Sequence, residues 1–330
     1  MTTVDLKTHP TAHWKQTITN HYSFLPYWWI RRVRTESRQA LMNRDLDIAL
    51  ASDETRLLGY ISDEGELLGF AQMHWLEWDT NHFGFETWRL DHLGTWGSPS
   101  QRRAVADALV QGAIQTSREQ EGQHITARIP MNNLLAIHAL EGAGFRTVEA
   151  LTTLVFDLAK ERISPKRNPD LIRDFEPADT EALVEMSRTV YTPLPDRFHM
   201  DPRLSPKASD ELYAEWVRNS CSGQLADHIA VAESNEEVVG YITMKYFGDY
   251  DGLCNRRIAQ WLLGAVSPAF RGLGLIEDLV SHNLEWLKRR QANYCFFGTQ
   301  GNNIPAQNVA TRLGFRPAAL ALTLHYWADD

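Results

Sequence analysis

Cysteine is scarce in this 330-residue chain, which has only Cys221, Cys254 and Cys295. An odd, widely spaced set builds neither a disulfide framework nor a cysteine-based zinc site. No His/Cys/Asp spacing has a metal-ligand pattern either, so no metal is expected. The shortage of cysteine fits a reducing compartment, and a cytoplasmic location is expected. Positive charge is also in deficit. Lys+Arg 33 against Asp+Glu 42 leaves a net charge of −9, which argues against a broad nucleic-acid face while allowing one local phosphate pocket. No apolar run reaches the ~18 residues of a membrane span, and no membrane partner is expected. The segment Met1 to Trp14 has no apolar stretch of the kind a secretion signal needs. Hydrophobic residues at 43% and charged residues at 23% exclude collagen, coiled coil and disorder.

What is plentiful is tryptophan, 11 in all, which supplies large aromatic anchors. At roughly 150 residues per domain the length predicts about two domains. A charged, proline-containing stretch from Lys160 to Pro169 divides the chain near its midpoint. The expected organisation is residues 1–160, a linker at 161–169, and residues 170–330.

The two halves repeat each other. Residues 132–146 (NNLLAIHALEGAGFR) and 302–316 (NNIPAQNVATRLGFR) share both asparagines, Ala136/Ala306, Gly144/Gly314, Phe145/Phe315 and Arg146/Arg316. Thr153-Leu154 and Thr323-Leu324 keep the same offset of 170 residues. Two copies of one α/β domain are therefore expected. In the second copy, periodicity predicts a short strand at 172–175 and a helix over 180–190. A second helix is marked by Leu212, Trp216 and Val217. Strands at 229–232 and 238–246 read as a hairpin turning at Ser234-Asn235-Glu236. A strand at 258–266, a helix to about 290, a strand at 294–298, a helix at 303–313 and a strand at 319–327 follow.

Chemistry concentrates where the 258–266 strand passes into a helix. The turn is Arg271-Gly272-Leu273-Gly274-Leu275. Two glycines at i and i+2 allow backbone to approach a ligand closely. Their N–H groups at a helix N-terminus would cradle an anion, and Arg271 adds a full charge. Glu277 and Asp278 stand in the first helical turn, where they would repel a phosphate unless turned away. Further on, Asn303 is a good N-cap, Ala306 is small, and Gly314 suits a left-handed C-cap.

Val266, Pro268 and the Arg-Gly-x-Gly turn, followed by Asn303-x2-Ala306 and Gly314-Phe315, resemble the coenzyme-A motifs of the GNAT acetyltransferase superfamily. More closely, the chain resembles the TDP-fucosamine acetyltransferases, amino-sugar enzymes of that superfamily. That likeness rests on Leu76 to Gly84, on Arg197-Phe198 with Leu212 to Val217, and on Thr299-Gln300 and Tyr326-Trp327. The resemblance implies two tandem GNAT-like domains, each a mixed, mostly antiparallel sheet flanked by helices. It implies acetyl transfer from acetyl-CoA to a small-molecule amine, with no metal. The amides of Arg271 to Leu275 would hold the pyrophosphate. Ala265 and Val266 would bind the pantetheine arm and polarise the thioester. Asn303 and Ala306 would contact its other side.

Two family positions depart. The tyrosine that protonates the leaving thiolate is replaced by Ala310, and the glutamate base by Gln260. A third, Ile276, stands where glycine or alanine is usual. His325 and Tyr326 on the last strand are then the candidate acid-base groups. Arg197 and Arg203, on a polar and aromatic loop, are candidates for an acceptor's phosphate. In the first copy the turn maps to Gln101, Arg102 and Ala104, so that copy is expected to be degenerate. Two functions compete at this point. One is an acyl-CoA-dependent N-acetyltransferase acting on a small amine, such as a nucleotide-linked amino sugar. The other is a GNAT-fold protein that binds acyl-CoA or a sugar without turnover.

Overall fold

The structure is a computed structural model that describes residues 2–10, 13–191 and 196–329. Along the first half run β1 (Thr2–Asp5), α1 (Trp14–His21), α2 (Thr35–Ala51), β2 (Thr55–Ile61), β3 (Leu67–Trp75) and α3 (Glu77–Phe83). These are followed by β4 (Thr87–Thr95), α4 (Pro99–Glu119), β5 (His124–Pro130), α5 (Leu134–Gly142) and β6 (Arg146–Asp157). The second half continues with β7 (Ile172–Asp174), α6 (Thr180–Val190), α7 (Arg197–Met200), α8 (Pro206–Cys221), β8 (His228–Ser234) and β9 (Glu237–Gly248). It ends with β10 (Ile258–Val266), α9 (Leu275–Arg289), β11 (Tyr294–Gln300), α10 (Ile304–Leu313) and β12 (Arg316–Trp327).

Most elements of the second half match the sequence reading because their signals are local. The hairpin is one example. Asn235 and Glu236 both take positive φ, 53° and 65°, as a two-residue turn matched to the strand twist demands. The helix over 180–190 is another, with Leu183 and Val184 fully buried on its inner face.

The chain divides into two compact units, and they do not follow a cut at 161–169. One is Met1–Ala150 with Leu320–Asp330; the other is Leu151–Ala319. In the first unit β1, β2, β3 and β4 pair antiparallel in succession, β4 pairs β5 parallel, and β12 pairs β5 antiparallel. In the second unit β7, β8, β9 and β10 pair antiparallel, β10 pairs β11 parallel, and β6 pairs β11 antiparallel. The two sets of six strands have the same topology, mixed and mostly antiparallel, so the α/β repeat is real. Each unit's sixth strand is supplied by the other half of the chain. Phe156 of β6 packs on Phe315 at 5.3 Å in the second unit, and Tyr326 of β12 packs on Phe145 at 5.1 Å in the first. The core of each unit therefore depends on residues about 170 positions away in sequence.

The segment expected as a linker is pinned rather than free. Lys166 Nζ lies 2.6 Å from the Glu285 carboxylate. The backbone N–H groups of Arg167 and Asn168 donate to the two oxygens of Asp278 at 2.8 and 2.9 Å, and the Asn168 side-chain amide donates to Asp278 Oδ2 at 2.9 Å. No described helix is long and apolar enough to cross a membrane.

Candidate functional site

The second unit's sheet opens at one place. Strands β10 and β11 are paired only from Ile258/Tyr294 to Trp261/Phe297. Beyond that point β10 leaves the ladder, and its register against β9 shifts between Trp261 and Gly264. Such an irregularity bends a strand and re-aims its backbone. Hydroxyl groups staple the distortion. Thr243 Oγ1 accepts from the Leu263 amide at 3.1 Å. The Tyr191 hydroxyl accepts from the Gly264 amide at 2.9 Å and donates to the Gly264 carbonyl at 3.0 Å. A Cβ on Gly264 would run into Ile242 Cδ1 of β9, so glycine eases the close approach of the two strands. Tyr191 is buried and its pKa is pushed up to about 12 by loss of solvent, so it stays a protonated phenol at neutral pH. Past the last β10–β11 pair the facing backbone edges of the two strands have no strand partner among the described residues. They can accept an extended amide chain.

At the end of β10, Ala265 and Val266 are buried and paired with Tyr241 and Gly240 of β9. A short turn over Pro268–Phe270 leads into Arg271-Gly272-Leu273-Gly274. Gly272 and Gly274 both lie in the left-handed region, with φ +83° and +81°. Side-chain-bearing residues would be strained there. Helix α9 starts at Leu275 with Gly274 as its N-cap, and no side chain caps it. Among the described residues the amides of Gly272, Leu273, Gly274, Leu275 and Ile276 donate to no protein acceptor. Five successive unpaired N–H groups at a helix N-terminus form an anion cradle. Arg271 and Leu273 are exposed beside it.

The two acidic residues of the first helical turn are turned away. Asp278 is buried and receives the Arg167 and Asn168 donors. Glu277 pairs with Arg312 at 2.6 Å. The Asn168 side-chain amide also donates to the Leu273 carbonyl at 3.1 Å, so the 166–168 segment straps the turn in place. Across the opening, Asn303 Oδ1 accepts the Ala306 amide at 3.3 Å and caps α10, with Ala306 partly buried behind it. The structure thus gathers Ala265, Val266, Arg271 to Leu275, Asn303 and Ala306 into the second unit.

It places the other candidates elsewhere or gives them work in packing. His325 and Tyr326 lie on the part of β12 that belongs to the first unit. Tyr326 packs in that core and its hydroxyl accepts from Arg118 Nη2 at 2.7 Å. His325 is buried against His124, ring centroids 4.5 Å apart. These two residues, expected as acid-base groups, thus belong to the first unit, while the turn belongs to the second. Ala310 is fully buried, so no room exists where the family's tyrosine stands. Arg197 opens α7 and lies over the Phe198 ring at 4.4 Å, while Arg203 is exposed after it. Both belong to the second unit. Sequence reading missed Tyr191 and Thr243, since nothing local announces a hydroxyl that serves a distant strand.

The equivalent helix end of the first unit is built differently. Helix α4 begins at Pro99, so Gln101 and Arg102 are already helical. The end is closed by its own capping box, with Ser98 Oγ taking the Gln101 amide and Gln101 Oε1 taking the Ser98 amide.

Residues 191–315 match the model of the acetyltransferase (GNAT) family. The spore coat polysaccharide biosynthesis protein SpsD of Bacillus subtilis (strain 168) is 33% identical over 152 residues, which are 46% of this chain and 49% of that protein. The chain thus matches about half the length of this curated relative. Among solved structures, a GCN5-related N-acetyltransferase from Sphaerobacter thermophilus aligns over 87% of this chain and 85% of its own, with a TM-score of 0.61 and 14% identity. A tandem GNAT protein from the clavulanic acid biosynthesis pathway aligns over 89% and 88%, with a TM-score of 0.56 and 17% identity. A fungal GCN5-related glucosamine N-acetyltransferase region covers 98% of this chain and 38% of its own, with a TM-score of 0.65 and 15% identity. Residues 191–315 thus match the acetyltransferase (GNAT) family model, and the chain shares the fold of the tandem GNAT protein.

Proposed function

We propose that the chain is an N-acetyltransferase that takes its acetyl group from acetyl-CoA and transfers it to the amine of a small molecule, a nucleotide-linked amino sugar. The observation that carries this reading is the row of unpaired amides from Gly272 to Ile276, set at the end of a strand pair that has come apart. The cradle fits a pyrophosphate, because its N–H groups are bare and its neighbouring carboxylates are already paired. Arg271 adds a charge at its rim. The pantetheine arm would lie along the free edges of β10 and β11, with Asn303 and Ala306 on its far side.

In the reaction the acceptor's neutral amine attacks the thioester carbonyl, the new C–N bond forms as the nitrogen releases a proton to solvent, the C–S bond breaks, and coenzyme A leaves as a thiolate that takes up a proton. A thiol of pKa about 8.5 is a tolerable leaving group without a strong acid. Tyr191 acts as a positioning residue, holding Gly264 so that the backbone amides around Ala265 face the carbonyl. Solvent supplies the proton that the family's tyrosine would supply, since Ala310 cannot. The amino-sugar acceptor is supported by the polysaccharide role in the name of the Bacillus subtilis relative. Arg197 and Arg203 are assigned to its phosphates. The first unit carries no coenzyme site and serves as a scaffold.

A thiol-release assay with acetyl-CoA over a panel of amines, nucleotide-linked amino sugars included, tests the reading. Calorimetry should give one coenzyme per chain, and Gly272→Val with Gly274→Val should abolish it. Arg197→Ala and Arg203→Ala should raise the acceptor's KM and leave that of acetyl-CoA unchanged. Coenzyme binding with no thiol release on any amine would favour the second reading, a binding protein without turnover. Ala310 and Gln260 are the residues that speak for that second reading.

A further inference from the structure

Away from the turn, three elements of the second unit bring two imidazoles onto one carboxylate oxygen. Asp174 ends β7, His228 starts β8, and His282 lies midway along α9. His228 Nε2 is 3.1 Å and His282 Nε2 is 2.7 Å from Asp174 Oδ1. The three ligand atoms all lie within 4.8 Å of one another.

The hydrogen-bond network fixes the tautomer of His228. The Asn283 amide nitrogen donates to the carbonyls of Leu279 at 3.1 Å and Ile242 at 3.5 Å. Its oxygen therefore faces His228 Nδ1, 2.8 Å away, and that nitrogen must carry the proton. A neutral imidazole has one N–H, so the lone pair of Nε2 points at an acceptor oxygen of Asp174. Two acceptors at 3.1 Å repel unless a cation lies between them. The cation is either a second proton or a metal ion. Trp286 covers one face of the ring, with centroids 4.5 Å apart, and keeps water from that side.

We propose that Asp174, His228 and His282 form a binding site for a divalent transition-metal ion of the zinc class. Imidazole nitrogen with carboxylate oxygen is a donor set suited to zinc, nickel, cobalt or copper, and unsuited to magnesium or calcium. Tetrahedral bonds of about 2.1 Å put neighbouring ligand atoms about 3.4 Å apart, so Asp174 Oδ1 would draw back from the two nitrogens now at 3.1 and 2.7 Å. The small adjustment needed falls on Asp174, whose side chain is 66% exposed and able to rotate, while His228 and His282 are 10% and 19% exposed. Asn283 is the outer partner that orients a metal-bound imidazole. Solvent would fill the remaining position. The ion would tie the edge strand β7 and strand β8 to α9, the helix whose N-terminus forms the anion cradle. The site is independent of the acyl-transfer reading and stands or falls without it.

The test uses the full chain with no histidine tag, stripped with a chelator and titrated with zinc chloride near neutral pH. Calorimetry should show that His282→Gln binds one zinc fewer per chain than the parent. Asp174→Asn, whose exposed side chain spares the fold, should weaken that site by about 10-fold or more. Zinc in about 100-fold excess over its Kd should raise the parent Tm by about 5 °C and leave the Tm of His282→Gln unmoved. Cobalt should give a visible absorption band in the parent that Asp174→Asn weakens. Equal zinc stoichiometry and affinity in the parent and both variants would overturn the proposal. So would no zinc binding by the parent at about 0.1 mM, or an equal Tm rise with magnesium. Any of these leaves a proton as the cation between His228 and Asp174.

Discussion

Replacing Asp278 by asparagine removes one charge and almost no volume, yet it strikes the strap that holds the coenzyme turn. The buried carboxylate accepts three N–H donors: Arg167 N on Oδ1, and Asn168 N and Nδ2 on Oδ2. An asparagine side chain has a single acceptor oxygen. If that oxygen faces Asn168, the new NH2 group meets the Arg167 amide; if it faces Arg167, both Asn168 donors meet the NH2 group. At least one donor is left unpaired in either case, at a cost of about 1–3 kcal/mol, and the remaining bonds lose their charge-assisted strength. The expected loss is about 2–3 kcal/mol. For a unit of this size that lowers Tm by about 5–10 °C. The same change loosens Asn168 from the Leu273 carbonyl, so the KM for acetyl-CoA should also rise. Thermal unfolding followed by tryptophan fluorescence measures the first effect and steady-state kinetics the second. Glu277→Gln is the control, because that carboxylate pairs with Arg312, a side chain 58% exposed, and should shift stability by less than about 0.5 kcal/mol. Equal Tm values for the two variants would refute the strap.

Other consequences follow from particular contacts. Tyr191→Phe leaves the Gly264 amide and carbonyl without their hydroxyl partner and should cost about 1–3 kcal/mol in urea denaturation, with a fall in kcat if Gly264 is a positioned part of the site. Ala310→Tyr, which would restore the family's acid if space allowed, should instead destabilise the second unit by about 1–3 kcal/mol or more, because the Ala310 side chain is fully enclosed; a stable and faster enzyme would contradict that packing. Asp45 has a pKa raised to about 6 by burial, against 3.8 in an open chain. The folded state therefore holds its proton more tightly, and the stability this contributes is present below about pH 4 and lost as pH rises through about 6. Asp45→Asn should raise the urea midpoint at neutral pH and have little effect below pH 4, and an identical gain at both would reject this origin.

The thiols offer no alternative chemistry. Cys295 is enclosed, and burial pushes its pKa up to about 12. Cys221 is raised to about 11 by the same cause. Thiolate nucleophiles need the opposite setting, a lowered pKa near positive charge.

By itself the sequence determined whatever depends on neighbours along the chain. Hydrophobic period, turn residues and the 170-residue repeat gave the elements of the second half, and Gly272 and Gly274 marked the anion turn, because positive φ and helix starts are local properties. The difference between the two copies was legible for the same reason: Gln101, Arg102 and Ala104 stand where the second copy has Arg271, Gly272 and Gly274. Only the tertiary structure decided which strand completes which sheet. Leu154 and Phe156 stand in register with Leu324 and Tyr326 in the repeat, and both strands offer one apolar face. Alternation states that a face is buried, without saying against which copy. The exchange is what brings Tyr326 to Arg118 within the first unit. Tertiary structure also decided that Asp278 serves the 166–168 segment, that Tyr191 holds Gly264, and that Asp174, His228 and His282 meet. Each of these is a polar contact between residues far apart in sequence, and the chain order carries no trace of the distance across which it acts.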